Sequence, residues 1–438
     1  MTSMAKDMKD SGIEWIGEIP KEWDIRKIDS CYNLRNTKVS DRDFQPLSVT
    51  KKGIVPQLET AAKTDAHDDR KLVRVNDFVI NSRSDRRGSC GISDYEGSVS
   101  LINTVLECKF NSCSRFYNWL FHTVQFSDEF YKWGHGIVDD LWTTNWKDMR
   151  NISIPYPPLS TQTRIADFLD QKCSQIDTLV SNIESQILKL DEYKKALITH
   201  AVTKGLDPDI EMKDSGIEWI GKIPKGWEIS KIGALGKLQN GISKDGSYFG
   251  HGYPFTPYGD VYINRVLPYP TGLIETTKSE RQRYSIEEGD VFFTRTSEVV
   301  DEVGIASTCF TTYPNASFAG FLIRFRPNSD KLNRVFSSYY FRSGINQNYL
   351  AKEMMLVTRA SLSQNLLKKM PVLLPPLSEQ IEISEYLNEE TRKILDLKNN
   401  LQKQLEFLSN YKKSLIFDYV TGKKEVPTDF RKEIQHGE

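Results

Sequence analysis

Apolar residues recur every seven positions in two long stretches of the chain. The residues that carry this repeat are Leu169, Ile176, Ile183, Leu190 and Leu197 in the first stretch, and Leu387, Ile394, Leu401, Leu408 and Leu415 in the second. A seven-residue repeat sustained over several turns predicts helices that pack against each other along an apolar seam, as in a coiled coil. Three lysines, Lys194, Lys398 and Lys412, interrupt the companion positions of this seam.

The boundaries of both helices are also marked in the sequence. A Pro-Pro-Leu-Ser element precedes each stretch and ends at Ser160 or Ser378. Proline does not continue a helix, and serine is a good N-cap, so each helix is predicted to begin at its serine. Glycine and then proline follow each stretch as stop signals. A helix from each serine to Thr203 or Thr421 would hold about 44 residues and extend about 66 Å.

A second repeat shows that the chain is built twice. Residues 8–23 return almost letter for letter as residues 212–227, and we refer to each copy as the clip. This period is too long for a solenoid unit and suits a whole domain. The tryptophans and isoleucines of the clip are predicted to fill a core, with partner docking as the alternative.

The order clip, globular domain, long helix occurs twice, which indicates an internal pseudo-two-fold repeat. The predicted fold class is α+β, with two globular domains separated by two long antiparallel coiled-coil helices. Such symmetry would also place the first clip beside the end of the second helix. The predicted segments are the first clip and globular domain (1–158), the first helix (159–205), the second clip and globular domain (206–376), the second helix (377–424) and a tail (425–438).

Composition limits the possible partners and compartments. The 438 residues carry a net charge of −1, so DNA contact would have to come from local basic patches. The six cysteines lack zinc-site spacing, and reduced thiols are expected. The chain has neither a long apolar run nor an apolar signal core at its start, which predicts a cytoplasmic protein without membrane contact.

The helix length suggests a target, and basic loops suggest how it is contacted. A 66 Å spacer corresponds to nearly two turns of B-DNA, although antiparallel helical spacers are common and this length alone would also fit a scaffold or a chromosome-associated coiled coil. Arginine reads guanine and clamps phosphates, whereas the alternative for each such loop is a solvated turn. Arg83 and Arg295 follow similar strand-like segments. The candidate DNA-binding residues are Arg83, Arg86 and Arg87 in the first half and Arg281, Arg283, Thr294, Arg295 and Thr296 in the second.

These motifs together resemble a known family, the specificity (S) subunits of type I restriction–modification systems. The resemblance covers nearly the whole chain. It rests on the clip Ser-Gly-Ile-Glu-Trp-Ile-Gly-x-Ile-Pro-x-x-Trp, the Pro-Pro-Leu-Ser entry and the Tyr-Lys-Lys-x-Leu-Ile helix ending, each present twice. One departure concerns the helix start, where the second copy keeps the family's Glu379-Gln380 and the first has Thr161-Gln162.

The resemblance implies that the two globular domains are target recognition domains. Each would read one half of a bipartite, asymmetric double-stranded DNA target, while the helices set the spacing. The helices would also dock two modification (methyltransferase) subunits, and the complex would recruit restriction (translocase and nuclease) subunits. The S subunit itself would have no catalytic centre, and S-adenosylmethionine, ATP and Mg would belong to the partner subunits.

The absence of catalytic motifs is an independent check on this interpretation. An amino-methyltransferase loop has Asp or Asn before Pro-Pro and an aromatic residue after it, whereas the two elements here are Tyr156-Pro-Pro-Leu159 and Leu374-Pro-Pro-Leu377. The Gly-x-x-x-x-Gly-Lys-Ser/Thr phosphate-binding motif is also absent from the sequence. Residues 208–213 superficially resemble a nuclease motif but are spaced too tightly. The alternatives are a fused methyltransferase-specificity enzyme and a coiled-coil scaffold without sequence preference.

Overall fold

The structure, a computed structural model, describes residues 7–58, 67–136, 142–297, 302–328, 330–354, 360–427 and 430. It divides into two compact units. Unit 1 contains residues 1–183 and 402–438, and unit 2 contains residues 184–401. Each unit therefore holds one clip, one globular domain and a part of both long helices.

The elements of the first half are, in chain order, β1 (Met8–Asp10), β2 (Glu18–Pro20), β3 (Asp24–Lys27), β4 (Tyr32–Arg35), β5 (Lys38–Val39), β6 (Leu47–Thr50), β7 (Gly53–Pro56), β8 (Arg70–Val73), β9 (Phe78–Asn81), β10 (Cys90–Ile92), β11 (Gly97–Ser100), β12 (Asn103–Cys108), α1 (Ser114–Phe121), α2 (Val124–Lys132), α3 (Trp146–Met149), β13 (Ser153–Tyr156) and α4 (Leu159–Lys204).

The elements of the second half are β14 (Met212–Asp214), β15 (Lys222–Pro224), β16 (Glu228–Lys231), α5 (Ile232–Leu235), β17 (Gly236–Asn240), β18 (Phe249–Thr256), α6 (Tyr258–Ile263), β19 (Gly272–Ile274), α7 (Lys278–Arg283), β20 (Val291–Thr294), β21 (Thr296–Ser297), β22 (Ala306–Thr308), β23 (Ser317–Phe318), β24 (Leu322–Pro327), α8 (Arg334–Tyr340), α9 (Gly344–Met354), β25 (Ala360–Ser361), α10 (Gln364–Lys369), β26 (Pro371–Leu374) and α11 (Leu377–Val420).

The four-stranded sheets of the two globular domains share one topology. Each contains a four-stranded sheet, in the order β10-β9-β12-β4 in the first domain and β22-β20-β24-β17 in the second. The second strand of each sheet is almost wholly apolar and buried, because both of its faces are covered. A smaller three-stranded sheet accompanies each, but these two sheets differ: β11-β8-β5 is antiparallel throughout, whereas β19-β18-β23 contains the parallel pair β18-β23. The predicted α+β class and internal repeat are confirmed.

The long helices begin slightly earlier than predicted. Helices α4 and α11 contain 46 and 44 residues, and α4 would extend about 69 Å. The predicted serine N-caps are wrong in detail, because Ser160 and Ser378 lie inside the first turn. The carbonyl of Pro158 accepts hydrogen bonds from the backbone N–H groups of Thr161 and Gln162, so the proline occupies the capping position.

The helices pair antiparallel within each unit. In unit 1, the ring of Phe168 packs 4.5 Å from that of Tyr419, and Lys412 Nζ lies 2.6 Å from Asp177 Oδ1. In unit 2, the end of α4 shares a core with the beginning of α11. Six predicted seam residues are buried and four are half-buried. The buried ones are Leu169, Ile176, Ile183, Leu387, Ile394 and Leu415, and the half-buried ones are Leu190, Leu197, Leu401 and Leu408.

Each clip is a short hairpin that packs against the end of a long helix. Trp23 lies in one core with Tyr419 and Val420 of α11, and Trp227 lies in the other core with Val202 of α4. Gly422 approaches the first clip so closely that a Cβ there would lie 2.5 Å from Pro20 Cδ. The predicted packing role of the clip is confirmed, and so is the place of the first clip beside the second helix.

Candidate nucleic-acid interface

Buried glutamines fix each globular domain to the start of a long helix. Gln162 Oε1 accepts a hydrogen bond from Cys113 N at 2.8 Å, and its Nε2 donates to Pro157 O. Gln380 Oε1 accepts from Asn333 N at 2.8 Å, and its Nε2 donates to Lys331 O and Pro375 O. Both side chains are fully buried, so losing either would leave backbone groups unpaired.

A second pair of equivalent contacts lies two turns further along each helix. Trp119 Nε1 donates to Asp170 Oδ1 at 2.7 Å, and Tyr339 Oη donates to Asn388 Oδ1 at 2.8 Å. In the alignment that matches Gln162 with Gln380, Asp170 corresponds to Asn388. The residue types differ but the contact is retained. Each domain is therefore held at two points on a rigid helix, which gives any reading surface a defined position.

Arg83 and Arg295 occupy equivalent places in the two domains. Arg83 follows β9 and Arg295 follows β20, the corresponding strands of the four-stranded sheets. Arg83 forms a β-bridge with Thr143, just before α3, and Arg295 O accepts a hydrogen bond from Leu362 N, just before α10. The correspondence predicted from the sequence is present in the structure.

In the first domain, Arg83 and Arg86 line a polar groove of about 720 Å³. Its opposite wall is the β6–β7 hairpin, which contributes Lys51 and neighbouring hydroxyls. The Nε atoms of Arg83 and Arg86 lie 3.0 and 3.6 Å from the carboxylate of Asp85. Each guanidinium carries five N–H donors, so one shared carboxylate leaves donors available for a phosphate or a base edge.

Arg87 is not among the groove-lining residues. Its Nη1 lies 2.8 Å from Asp128 Oδ1, and its guanidinium stands 5.2 Å from the ring centroid of Tyr131. The structure thus separates Arg87 from the two arginines that precede it. Lys51 and Gln57 of the groove were missed from the sequence, because nothing local indicates that the hairpin faces Arg83.

In the second domain, the candidate residues belong to two different elements. Arg281 and Arg283 lie on α7, whose start is a capping box formed by Thr277 and Glu280. The guanidinium of Arg281 stacks 3.7 Å from the ring centroid of Tyr253, and Arg283 is exposed. The stacking holds Arg281 in place. The exposed aromatics Tyr248, Phe249 and Tyr253 were also missed, although their Gly- and aromatic-rich run is visible in the sequence.

The two threonines beside Arg295 have different environments. Thr294 is completely buried, and its hydroxyl donates to Glu302 O and accepts from Ile305 N. It therefore shapes the turn after β20 and does not reach the surface. Thr296 is half-buried in β21, where it pairs with Ser361 of β25.

No helix among the described residues is both long and apolar enough to span a membrane. The same residues contain no cluster of three or more His, Cys, Asp or Glu side chains arranged to hold a metal ion.

A duplicated α+β domain, fixed to paired helices and carrying arginine-lined surfaces, defines a modular DNA-recognition protein. The family model described as "Type I restriction modification DNA specificity domain" matches residues 20–189 and 224–407. The two matches span most of the chain, one in each half. The chain belongs to this family and is a specificity subunit of a type I restriction–modification system.

Individual relatives agree with the family match. The putative type I restriction enzyme MjaX specificity subunit of Methanocaldococcus jannaschii is 24% identical over 449 residues, covering 94% of this chain and 96% of that protein. The type I restriction enzyme EcoKI specificity subunit of Escherichia coli K12 is 28% identical over 239 residues, covering 53% of this chain and 49% of that protein.

Solved structures share the fold. A chain from a study of complex assembly and conformational transition of the type I R-M system has a TM-score of 0.72 at 15% identity, covering 93% of this chain and 99% of that one. The HsdS subunit of Thermoanaerobacter tengcongensis has a TM-score of 0.54 at 17% identity, covering 93% and 98%.

Proposed function

We propose that each globular domain reads one half of a bipartite, asymmetric double-stranded DNA target. The observation that carries this proposal is that the two globular domains are attached to the helices by the same kind of contact but present different surfaces. Gln162 and Gln380 hold the two domains through the same kind of contact, whereas the groove beside Arg83 and the aromatic surface beside Arg281 share little. Two different surfaces on one repeated frame suit two different half-sites.

We further propose that the helices set the spacing between half-sites and dock two methyltransferase subunits, through which restriction subunits join the complex. The chain itself would be non-catalytic, and S-adenosylmethionine, ATP and Mg would be bound by those partners. The long helices, with exposed Leu179, Leu188 and Phe407, offer apolar surface that supports the docking proposal. A cytoplasmic location fits this role.

Mapping methylated adenines on genomic DNA, after mixing the purified chain with its methyltransferase subunit, tests the proposal. We expect one split motif with a fixed, unspecified spacer. Methylation by the chain alone would favour a fused enzyme, and DNA binding without sequence preference would favour a scaffold. Either result would contradict the proposed function.

A further inference from the structure

Phe321 is an exposed aromatic residue of the second globular domain. It lies in the turn between β23 and β24 and is 62% exposed, whereas the apolar residues that flank this turn, Phe318 and Leu322, are completely buried. A single exposed phenylalanine is common on protein surfaces, so its role depends on the contacts of the turn that carries it.

The turn holds Phe321 in a fixed position. Ile242 N donates a hydrogen bond to Phe318 O at 2.8 Å, which ties the start of the turn to the segment after β17. Gly320 lies so close to the same segment that a Cβ there would collide with Ser243 Oγ. The side chain of Phe321 is therefore carried by a backbone that is already ordered, so a contact with a ligand costs little further conformational entropy.

Phe321 stands directly beside Arg295, a candidate DNA-binding residue. Arg295 N donates to Phe321 O at 2.9 Å, and Arg295 Nη1 lies 3.5 Å from Gly320 O. The two residues continue the antiparallel register that pairs Thr294 with Leu322, so they lie opposite each other. A duplex bound through Arg295 would therefore meet the ring of Phe321, which favours DNA over a protein partner as the group that covers the ring.

The first domain has an apolar residue at the corresponding position. β12 and β24 are the third strands of the two four-stranded sheets, and the first residue of each pairs with the last residue of β9 or β20. Ile102 directly precedes β12, as Phe321 directly precedes β24. Ile102 lines the polar groove together with Arg83. Both domains therefore place an apolar side chain next to an equivalent arginine, but the two apolar side chains differ in size.

We propose that Phe321 reads the second half-site by contacting the 5-methyl group of a thymine. The contact rests on the proposed function. The methyl group is the apolar feature that a base pair presents in the major groove, where arginine reads guanine, and phenylalanine is among the side chains that contact it. The contact gives the second domain a preference for one A·T pair next to the group bound by Arg295. Ile102 makes the corresponding contact with the first half-site.

The test measures how the full chain, assembled with its methyltransferase subunit, binds its mapped target. Each thymine of the second half-site is replaced in turn by uracil, which lacks the 5-methyl group. The unmodified complex should bind about four-fold more weakly when one particular thymine is replaced, as expected for the loss of one buried methyl group. Phe321→Ala should bind the normal target about ten-fold more weakly and should bind the thymine and uracil versions equally.

Further variants separate this contact from a folding defect and from a phosphate contact. Phe321→Leu keeps an apolar side chain and should retain part of the thymine preference. Ile102→Ala is the matched control, which should weaken binding through the first half-site and leave the uracil response of the second unchanged. An apolar contact releases no counter-ion, so Phe321→Ala should leave the slope of log K against log salt unchanged. Its thermal unfolding should also be unchanged, because Phe321 is exposed.

Three outcomes would overturn the contact. One is an affinity of Phe321→Ala equal to that of the unmodified chain. Another is a uracil response that is absent in the unmodified complex or that persists in Phe321→Ala, because the ring would then bind something other than a thymine methyl group. The third is weakened assembly with the methyltransferase subunit at unchanged DNA affinity, which would identify a protein partner. Failure of the proposed function is separate, because it would appear as an absence of sequence preference in the unmodified complex.

Discussion

The two units of the chain differ at one point where their sequences are almost identical. Trp227 of the second clip donates from Nε1 to both carboxylate oxygens of Glu379, at 3.0 and 2.9 Å. Trp23 of the first clip is equally buried, yet its Nε1 has no hydrogen-bond partner among the described residues. The cause lies in another element, since the helix residue that corresponds to Glu379 is Thr161.

This difference shows which parts of the repeat constrain the fold. Gln162 and Gln380 make the same contacts in both units, and both tryptophans fill a core. The unpaired indole of Trp23 is tolerated, although leaving a buried N–H unsatisfied costs about 1–3 kcal/mol. The glutamine contacts that anchor the globular domains are therefore shared by the two units. The hydrogen bond between the clip tryptophan and the first turn of the long helix, which we call the clip–helix junction, is present only in unit 2 among the described residues.

The largest expected effect on target choice comes from lengthening α4 and α11 while the contacts between each clip, each globular domain and the helix ends stay unchanged. One heptad inserted after Gln186 and one after Gln404 preserve the seam register and add about 10.5 Å. We expect loss of methylation at the native target and a gain at targets with a spacer longer by about three base pairs. Methylome mapping provides the measurement, and unaltered methylation of the native site would rule out the helices as the ruler.

The next largest effect is a loss of DNA affinity through one half-site only, which would test the proposed DNA-reading surface of each unit separately. Arg83→Ala removes a groove-lining guanidinium, so binding should weaken by about 1–3 kcal/mol through the first half-site only. Arg295→Ala should do the same through the second. The two variants are distinguished by measuring, over a salt series, their binding to DNA in which one half-site or the other has been replaced.

Arg87→Ala is the matched control, because Arg87 pairs with Asp128 and does not line the groove. Assembly with the methyltransferase subunit should be unaffected in all three variants. An Arg83→Ala affinity equal to that of the unmodified chain at every salt concentration would count against this contact.

Exchanging the residue types of Thr161 and Glu379 should move the tryptophan hydrogen bond, and its contribution to the free energy of unfolding, from unit 2 to unit 1. Glu379→Thr leaves Trp227 Nε1 without its acceptor and should lower the free energy of unfolding by about 1–3 kcal/mol. Thr161→Glu supplies an acceptor for Trp23 and should raise it by about 1 kcal/mol. Denaturant unfolding measures both. Glu379→Gln keeps an acceptor oxygen and should lose less, and equal losses for Thr and Gln would argue against the hydrogen bond.

The smallest effect is a pH dependence confined to unit 2. Burial raises the pKa of Glu379, and the indole of Trp227 partly opposes this. The folded state then holds a proton that the unfolded state has already lost. The contribution of Glu379 to stability should therefore fall as the pH rises from the ordinary glutamate pKa towards the raised value.

Unfolding of the unmodified chain and of Glu379→Gln between about pH 4 and pH 7 isolates this contribution. The difference in unfolding free energy between the two proteins should change as the pH rises above the ordinary glutamate pKa, because only the unmodified chain carries the titrating carboxyl group. A difference that stays constant across the series would show that Glu379 titrates alike in the folded and unfolded states.

Periodic features of the sequence were sufficient to predict the frame of the molecule. The seven-residue repeat predicted α4 and α11, because a regular apolar stripe reports which helix face is buried. The Pro-Pro-Leu-Ser elements and the stop signals, counted from each serine to Thr203 or Thr421, placed the helix ends to within one residue. The repeated clip predicted the duplication and the position of the first clip beside the second helix. Both are consequences of local pattern, and they required no knowledge of side-chain partners.

The interaction partners and the burial of individual side chains were decided only by the tertiary structure. The sequence offered Ser160 as a helix cap, but the carbonyl of Pro158 takes that place. Arg86 and Arg87 are adjacent in the chain, yet only Arg86 lines the groove, and Thr294 is buried.

Lys194 and Lys412 look alike in the sequence, and the antiparallel partner helix supplies a carboxylate to Lys412 alone. Composition and spacing therefore determined the helices, the clips and the duplicated domains. The environments of individual charges depend on contacts between residues far apart in the chain, which arise only when the elements pack.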